Sequence, residues 1–323
     1  MRPSIQFSVV IPCYNADTWI IGTLESVIAQ TLPPHEVFVI DDGSSDDSLN
    51  LITTFAKTSP VPILVLQSDH LGPAGARNLG IEAAIGDWIA FLDADDWWKP
   101  EHLERIYTAI ETSGDLVYLA AAEHFSININ RVVSRSDSPF DTLQRNIDHC
   151  TYFELYQKHG LLELSSSAIA RHLLMEVGGF KPEFRGAEDM EMIMRAVYNH
   201  TLAYDPIPSS YYRCNNPDSH SRKFALDEEG LTANFRAFQS LRDRYDISLG
   251  ILAGKAKTLA SKSINLQKFD ARQRVLQLAW PYLSKSQKLI FTAASYIPAV
   301  YLWINNLRNQ IRGPQYKPRQ VVQ

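Results

Sequence analysis

A chain of 323 residues, 45% hydrophobic and 21% charged, can build one large α/β domain with an appended region, and its composition excludes a disordered or fibrous protein. Its net charge of −5 hides an asymmetry: no Asp or Glu occurs from Ala271 to Gln323, where eight basic residues stand. Positions 1–270 are left with 23 basic and 36 acidic residues, a charge of −13. An acidic body argues against nucleic acid as a partner, and the basic tail is expected to meet something anionic.

The first hundred residues alternate in the manner of a parallel sheet. Phe7–Pro12 is a short apolar run that reads as a buried strand, followed by a helical stretch with Ile20, Leu24, Val27 and Ile28 on one face. Glu36–Asp41 is a second strand, Pro62–Leu66 a third and Trp88–Asp93 a fourth, with helical segments around Asp46–Lys57 and Ala74–Ala84. This β-α-β-α-β-α-β order predicts a doubly wound, mostly parallel sheet with helices on both faces. Strand-like runs follow at Leu116–Ala121 and Ser165–Ala170, then a helix from near Ala187 that carries Ile193 and Val197. From about Phe224 the chain reads as helical, so two regions are expected: a catalytic domain over 1–222 and a helical region over 223–323.

The start, MRPSIQFSVVIPCYN, has no secretory leader pattern. The cysteines Cys13, Cys150 and Cys214 are too scattered for a disulfide framework or zinc site, and Cys13 reads as a packed thiol. A cytoplasmic location is expected. The uncharged run Leu289–Ile304 is short and interrupted by Pro298, so it predicts no transmembrane helix. It either packs on the catalytic domain or lies, with its flanking cations, on the inner face of an anionic membrane.

Each early strand ends in polar residues: Tyr14 and Asn15 after the first, Asp41 and Asp42 after the second, Asp93 to Asp96 after the fourth. Ligands of such sheets bind beyond the carboxyl ends of the strands. Carboxylates crowded at one strand end repel one another unless a cation sits among them, and hard oxygen ligands suit Mg²⁺ or Mn²⁺. Ser45 or Asp46 reads as the cap of the next helix. Gly72-Pro73-Ala74-Gly75-Ala76-Arg77 puts a helix start and an arginine beside the same rim, where phosphate can bind. Glu188-Asp189 opens a helix; adjacent helical residues diverge, so at most one should face a pocket.

Together these motifs resemble glycosyltransferase family 2 of the GT-A fold. VVIPCYN, VIDDGSSDDS, GPAGARNLG, GDWIAFLDADDWW, VGGF, GAEDMEMIMR and YYRCNNPDSHS stand in family order from Val9 to Ser221. The resemblance implies that Tyr14 and Asp42, with Asp41 and Pro12 nearby, contact the nucleobase, and that Arg77 contacts the nucleotide. It implies Asp93, with Ala94, on the ribose or diphosphate side and Asp95 as the direct ligand of Mn²⁺ or Mg²⁺. Ser166, within Ser165–Ser167, would line the sugar pocket, and Arg213 and His220 would stand near the diphosphate and its metal. Asp189 would be the catalytic base and Glu188 its support. The implied reaction is inverting transfer of one sugar from a nucleotide-diphosphate donor to a saccharide or lipid-linked acceptor. Gln239-Ser240-Leu241-Arg242 is followed by Asp243, so the Q-x-x-R-W motif of processive members is incomplete. Two other readings stand beside this one: a catalytically silent nucleotide-sugar-binding module, and a haloacid-dehalogenase-like phosphatase, whose D-x-D-x-[T/V] pattern Trp97 breaks.

Overall fold

The computed structural model describes residues 5–160, 162–214, 228–245, 256–257, 259–263, 266 and 269–296. The chain forms two compact units, one of residues 1–183 with 188–216 and the other of 184–187 with 217–323.

In the first unit, β1 (Phe7–Cys13), β2 (Glu36–Asp41), β3 (Ile63–Gln67) and β4 (Trp88–Phe91) pair in parallel in the order β3-β2-β1-β4. Helices α1 (Ile20–Ile28), α2 (Ser48–Ala56) and α3 (Gly72–Ala83) connect them. Successive residues Val9, Val10 and Ile11 of β1 are all fully buried, which requires cover on both faces of the sheet. On one face α3 packs directly on β1 and β2 at Gly80: a Cβ there would stand 2.6 Å from Val10 Cγ1.

The sheet continues through β9 (Ala168–Ala170), β6 (Val117–Ser126) and β10 (Leu202–Cys214) to β5 (Trp97–Trp98), while β7 (Arg131–Arg135) pairs with β6 and β8 (Gln144–Ile147) with β10. Strand β9 runs antiparallel to both neighbours, so β6 and β10 point the same way as β1 to β4. Helices α4 (His102–Ser113), α5 (His149–His159), α6 (Arg171–Val177) and α7 (Glu188–Val197) complete the unit. From β1 the chain builds outward through β2 to β3, then returns to place β4 on the other side of β1. The β1/β4 boundary is therefore the switch point of the sheet, where a crevice opens.

Two expected strands are shorter than the apolar runs suggest. Beyond β4 the chain turns, with the Asp96 N–H donating to the Asp93 carbonyl at 3.1 Å. Of Ser165–Ala170, only the last three residues pair as β9; Leu164–Ser166 forms a 3₁₀ turn, and the Ser167 hydroxyl donates to the Leu164 carbonyl at 2.7 Å. Serine side chains that bond the local backbone compete with a strand ladder.

The second unit contains α8 (Glu228–Tyr245), α9 (Phe269–Ala279) and α10 (Lys285–Tyr296). Helix α9 packs on α8 and α10, with Phe238, Val275, Ala279 and Phe291 buried. Of the run Leu289–Ile304, the part from 297 onward lies outside the described residues. Among the described residues no helix is long and apolar enough to cross a membrane.

Candidate active site

The loops after β1 and β2 are tied to each other. The Asn15 carboxamide oxygen accepts from the Ser45 N–H at 2.8 Å, and the Ser44 hydroxyl accepts from the Asn15 N–H at 2.9 Å. Asn15 holds a left-handed backbone (φ 48°), a conformation Asn tolerates better than most residues. The N-cap of α2 is Asp47 and not Ser45 or Asp46, and its side chain makes no capping bond; Asp46, one residue earlier, accepts from the Ser48 N–H at 3.0 Å through Oδ1. Tyr14 is left 53% exposed, edge-on to the His70 ring at 5.4 Å. Pro12, opposite Ile40 in the β1–β2 ladder, is half-buried.

Asp42 is buried and organises the β3–α3 loop. It accepts from the Ser68 hydroxyl and from the N–H groups of Leu71 and Gly72, each at 2.7 Å. Asp41, beside Cys13 in the ladder, is also buried, and its Oδ1 has no hydrogen-bond partner. Burial, and secondarily the Asp41 charge, pushes the Cys13 thiol up to about 12, so it packs as a neutral side chain.

The three aspartates after β4 play different parts. Asp96 is buried; its carboxylate accepts from the Ser165 hydroxyl at 2.6 Å and the Arg213 N–H at 2.8 Å, bracing the turn. Burial, then the charges of Asp95 and Asp93, pushes the Asp96 carboxyl well up. Asp93 is held by Arg77, whose Nη2 lies 2.6 Å from Oδ1, and its own N–H donates to Ser165 Oγ at 3.1 Å. Ala94 is buried between them, and Asp95 is half-buried.

Arg77 is the hub. It is buried, lies 5.4 Å from the Phe180 ring centroid, and its Nη1 stands 3.7 Å from Glu188 Oε1 in the first turn of α7. The sequence places this arginine beside the rim, and the structure pairs it there with Asp93 and Glu188 while its Nε and Nη1 make no hydrogen bond. Next in the helix, Asp189 keeps partial access to solvent and accepts from the Met190 N–H at 2.6 Å. Burial first, and then the Glu188 charge, raises the Asp189 carboxyl to about 6 against the opposing pull of Met190 and Arg77. The Asp189 charge in turn contributes, after burial, to raising the hydroxyls of Tyr152 and Tyr156 on α5.

Arg213 straps β10 to the β4 loop: its Nε donates to the Asp95 carbonyl at 2.7 Å, and its guanidinium lies 4.1 Å from the Trp19 ring and 4.6 Å from the Trp97 ring. The hydroxyls of Ser166 and Ser210 are hydrogen-bonded to each other. His220 lies outside the described residues.

The supports of the site leave little trace in the sequence. Asn78 clamps the Gly178-Gly179-Phe180 turn, donating to the Phe180 carbonyl and accepting its N–H, both at 2.8 Å. Gly179 (φ 60°) passes so close that a Cβ would stand 2.5 Å from Asn78 Oδ1. Glu191 and Arg195 form a buried pair at 2.7 Å inside α7, and Arg195 also donates to the carbonyls of Val177 and Gly179. The G-x-x-x-x-R-N run and the paired glycines carried a partial signal of the clamp; buried charges on a helix carried none.

Among the described residues no three His, Cys, Asp or Glu side chains gather to hold a cation. The hard carboxylates of Asp93 and Asp95, partly accessible at the β4 end, nevertheless fit Mg²⁺ or Mn²⁺. These ions take one or two protein carboxylates and complete their shell with phosphate oxygens and water.

This mostly parallel sheet with its flanking helices is a fold of GT-A type. The sequence profile of glycosyl transferase family 2 matches residues 8–174, and the chain belongs to that family of enzymes. An uncharacterised glycosyltransferase of Nostoc is 40% identical over 109 residues, 34% of each chain. The amylovoran biosynthesis glycosyltransferase AmsB of Erwinia amylovora is 32% identical over 198 residues, 59% of this chain and 64% of its own. The chain thus spans from a third to just under two thirds of these relatives' length. Among solved structures, TarS of S. aureus in complex with UDP-GlcNAc superposes over 81% of this chain and 72% of its own, with a TM-score of 0.63 at 22% identity. A mannosyltransferase of Pyrobaculum calidifontis in complex with GDP-Man and Mn²⁺ covers 92% of this chain and 81% of its own, with a TM-score of 0.58 at 17% identity. Both share the fold.

Proposed function

We propose that the chain is an inverting, non-processive glycosyltransferase. It moves one sugar from a UDP-sugar to a hydroxyl of a saccharide or lipid-linked acceptor, in the synthesis of cell-surface polysaccharide or glycoconjugate. The observation that carries this reading is the convergence of Asp93, Arg77, Glu188 and Asp189, which puts a carboxylate titrating near 6 beside the carboxylate rim at the switch point. The bound UDP-GlcNAc of TarS and the name of the amylovoran relative support the donor class and the product class.

In this reading Tyr14 and the Asp41–Asp42 turn receive the base, and Asp93 and Asp95 stand at the diphosphate. A divalent cation held by Asp95, with Asp93 beside it, would offset the charge that develops on the leaving diphosphate. Arg77 acts through its partners: it fixes Asp93 and Glu188 and so sets where the first turn of α7 faces the donor. Asp189, ionised above pH 6, accepts the proton of the acceptor hydroxyl as that oxygen attacks the anomeric carbon. The bond to the nucleoside diphosphate breaks on the opposite side, so an α-linked donor gives a β-linked product. Family 2 membership and a base-ready Asp189 favour this over a silent binding module or a phosphatase.

Calorimetric titration with UDP and with GDP, each with Mn²⁺, tests the donor assignment. The wild-type protein should prefer UDP, and Asp95→Asn should weaken that binding at least about tenfold while leaving the fold intact. Wild-type affinity in Asp95→Asn would remove the metal assignment, and failure to turn over any UDP-sugar would remove the donor.

A further inference from the structure

The helical second unit exposes large apolar side chains on a surface outside the candidate site. On α10 and the turn before it, Leu289 is 74% exposed, Ile290 46% and Trp280 38%, whereas Phe291 beside them is buried at 3%. The helix thus has a packed face and an apolar face in water. Lys288 Nζ lies 5.5 Å from the centre of the Trp280 ring, and Lys285 is exposed one turn earlier. Leu276, Pro281 and Thr292, with Trp280, line a recess of about 390 Å³ next to these side chains.

Charge says what kind of partner fits. Within Ala271–Gln323 the cations Arg272, Arg274, Lys285, Lys288, Arg308, Arg312, Lys317 and Arg319 are opposed by no acidic residue of the same segment. Arg274 is drawn to Glu228, with Nε 2.5 Å from Oε1. An apolar protein partner alone would gain nothing from an acid-free segment. A surface that is apolar just beneath a layer of negative charge matches both features, with tryptophan at the boundary and lysines reaching the headgroups.

We propose that the face formed by Trp280, Leu289 and Ile290, with Lys285 and Lys288, docks the enzyme on an anionic lipid bilayer without crossing it. The occupant is the bilayer surface itself: apolar side chains enter the headgroup boundary and the cations meet acidic lipid. The proposal does not depend on the identity of the donor.

Sedimentation of the full chain with sucrose-loaded vesicles tests it, using phosphatidylglycerol–phosphatidylcholine mixtures and pure phosphatidylcholine. The wild-type protein should bind the anionic vesicles at least tenfold more strongly than the neutral ones, and less as salt rises. Each cation near an anionic leaflet contributes a factor of about five, so Lys285→Glu with Lys288→Glu should reduce binding by at least about twenty-fivefold. Leu289→Ser with Ile290→Ser, both at exposed positions, should reduce it at least tenfold on the anionic vesicles while hydrolysis of the soluble donor is unchanged. Equal binding to both vesicle types, or no loss in the double-serine protein, overturns the proposal. A dimer that dissociates in the double-serine protein would assign the face to a second copy of the chain. Competition by an oligonucleotide at equal charge concentration, undiminished in the double-serine protein, would assign it to nucleic acid. Loss of vesicle binding with intact donor turnover, and the reverse, keep this proposal separate from the catalytic one.

Discussion

Replacing Arg77 by methionine separates a structural hub from a phosphate ligand. The guanidinium lies 2.6 Å from Asp93 and 3.7 Å from Glu188, with side-chain exposures of 6% for Arg77, 35% for Asp93 and 7% for Glu188. Two charges near 4 Å interact by about 4 kcal/mol at an effective dielectric of 20. The Asp93 pair is partly screened by solvent and adds less. Methionine would keep most of the volume but leave Glu188 as an uncompensated buried charge, a change that typically costs about 3–5 kcal/mol. Urea unfolding followed by tryptophan fluorescence should therefore show a loss of about 3 kcal/mol for Arg77→Met. Adding Glu188→Gln removes the orphaned charge and should restore at least half of that loss. A midpoint unchanged from wild type, together with lost UDP binding, would refute the hub and return Arg77 to the nucleotide.

Other outcomes follow from the same geometry. Gly179→Ala should cost about 2–3 kcal/mol, since it combines a left-handed backbone with a Cβ 2.5 Å from Asn78 Oδ1. A melting temperature within a degree of wild type would show that the clamp yields easily. The rate of transfer should fall as pH drops below the Asp189 value of about 6, because a base must be deprotonated to act. At pH 5 the rate should be roughly a tenth of its plateau, and a flat profile down to pH 4.5 would contradict the role.

The strands around the switch point were legible because buried parallel strands are short apolar runs, and VVIP, EVFVI and WIAF each give way within two residues to polar side chains. The rim followed from those endings. Less legible was the division of labour within it. Asp96 looks like Asp95 in sequence, yet it is spent on Ser165 and Arg213. Such a role depends on β10, more than a hundred residues away, and local spacing carries no trace of it. In the same way the sequence of α7 shows Ile193 and Val197 at helical spacing, but not that its Glu191 and Arg195 are buried against each other. The antiparallel insertion of β9 between β4 and β6 was also out of reach, since three residues of strand carry no directional signal.

Single-turnover transfer by Asp189→Asn decides whether Asp189 takes the acceptor proton. Asparagine keeps the shape and can still accept from the Met190 N–H, but it cannot take a proton. Donor affinity should stay within about twofold of wild type and transfer should fall by about 10²–10⁴-fold, the usual contribution of general acid–base catalysis. If the carboxylate only caps α7, the change would cost about 1 kcal/mol of stability at most. Transfer at the wild-type rate with that small stability loss would mean that Asp189 is not the base.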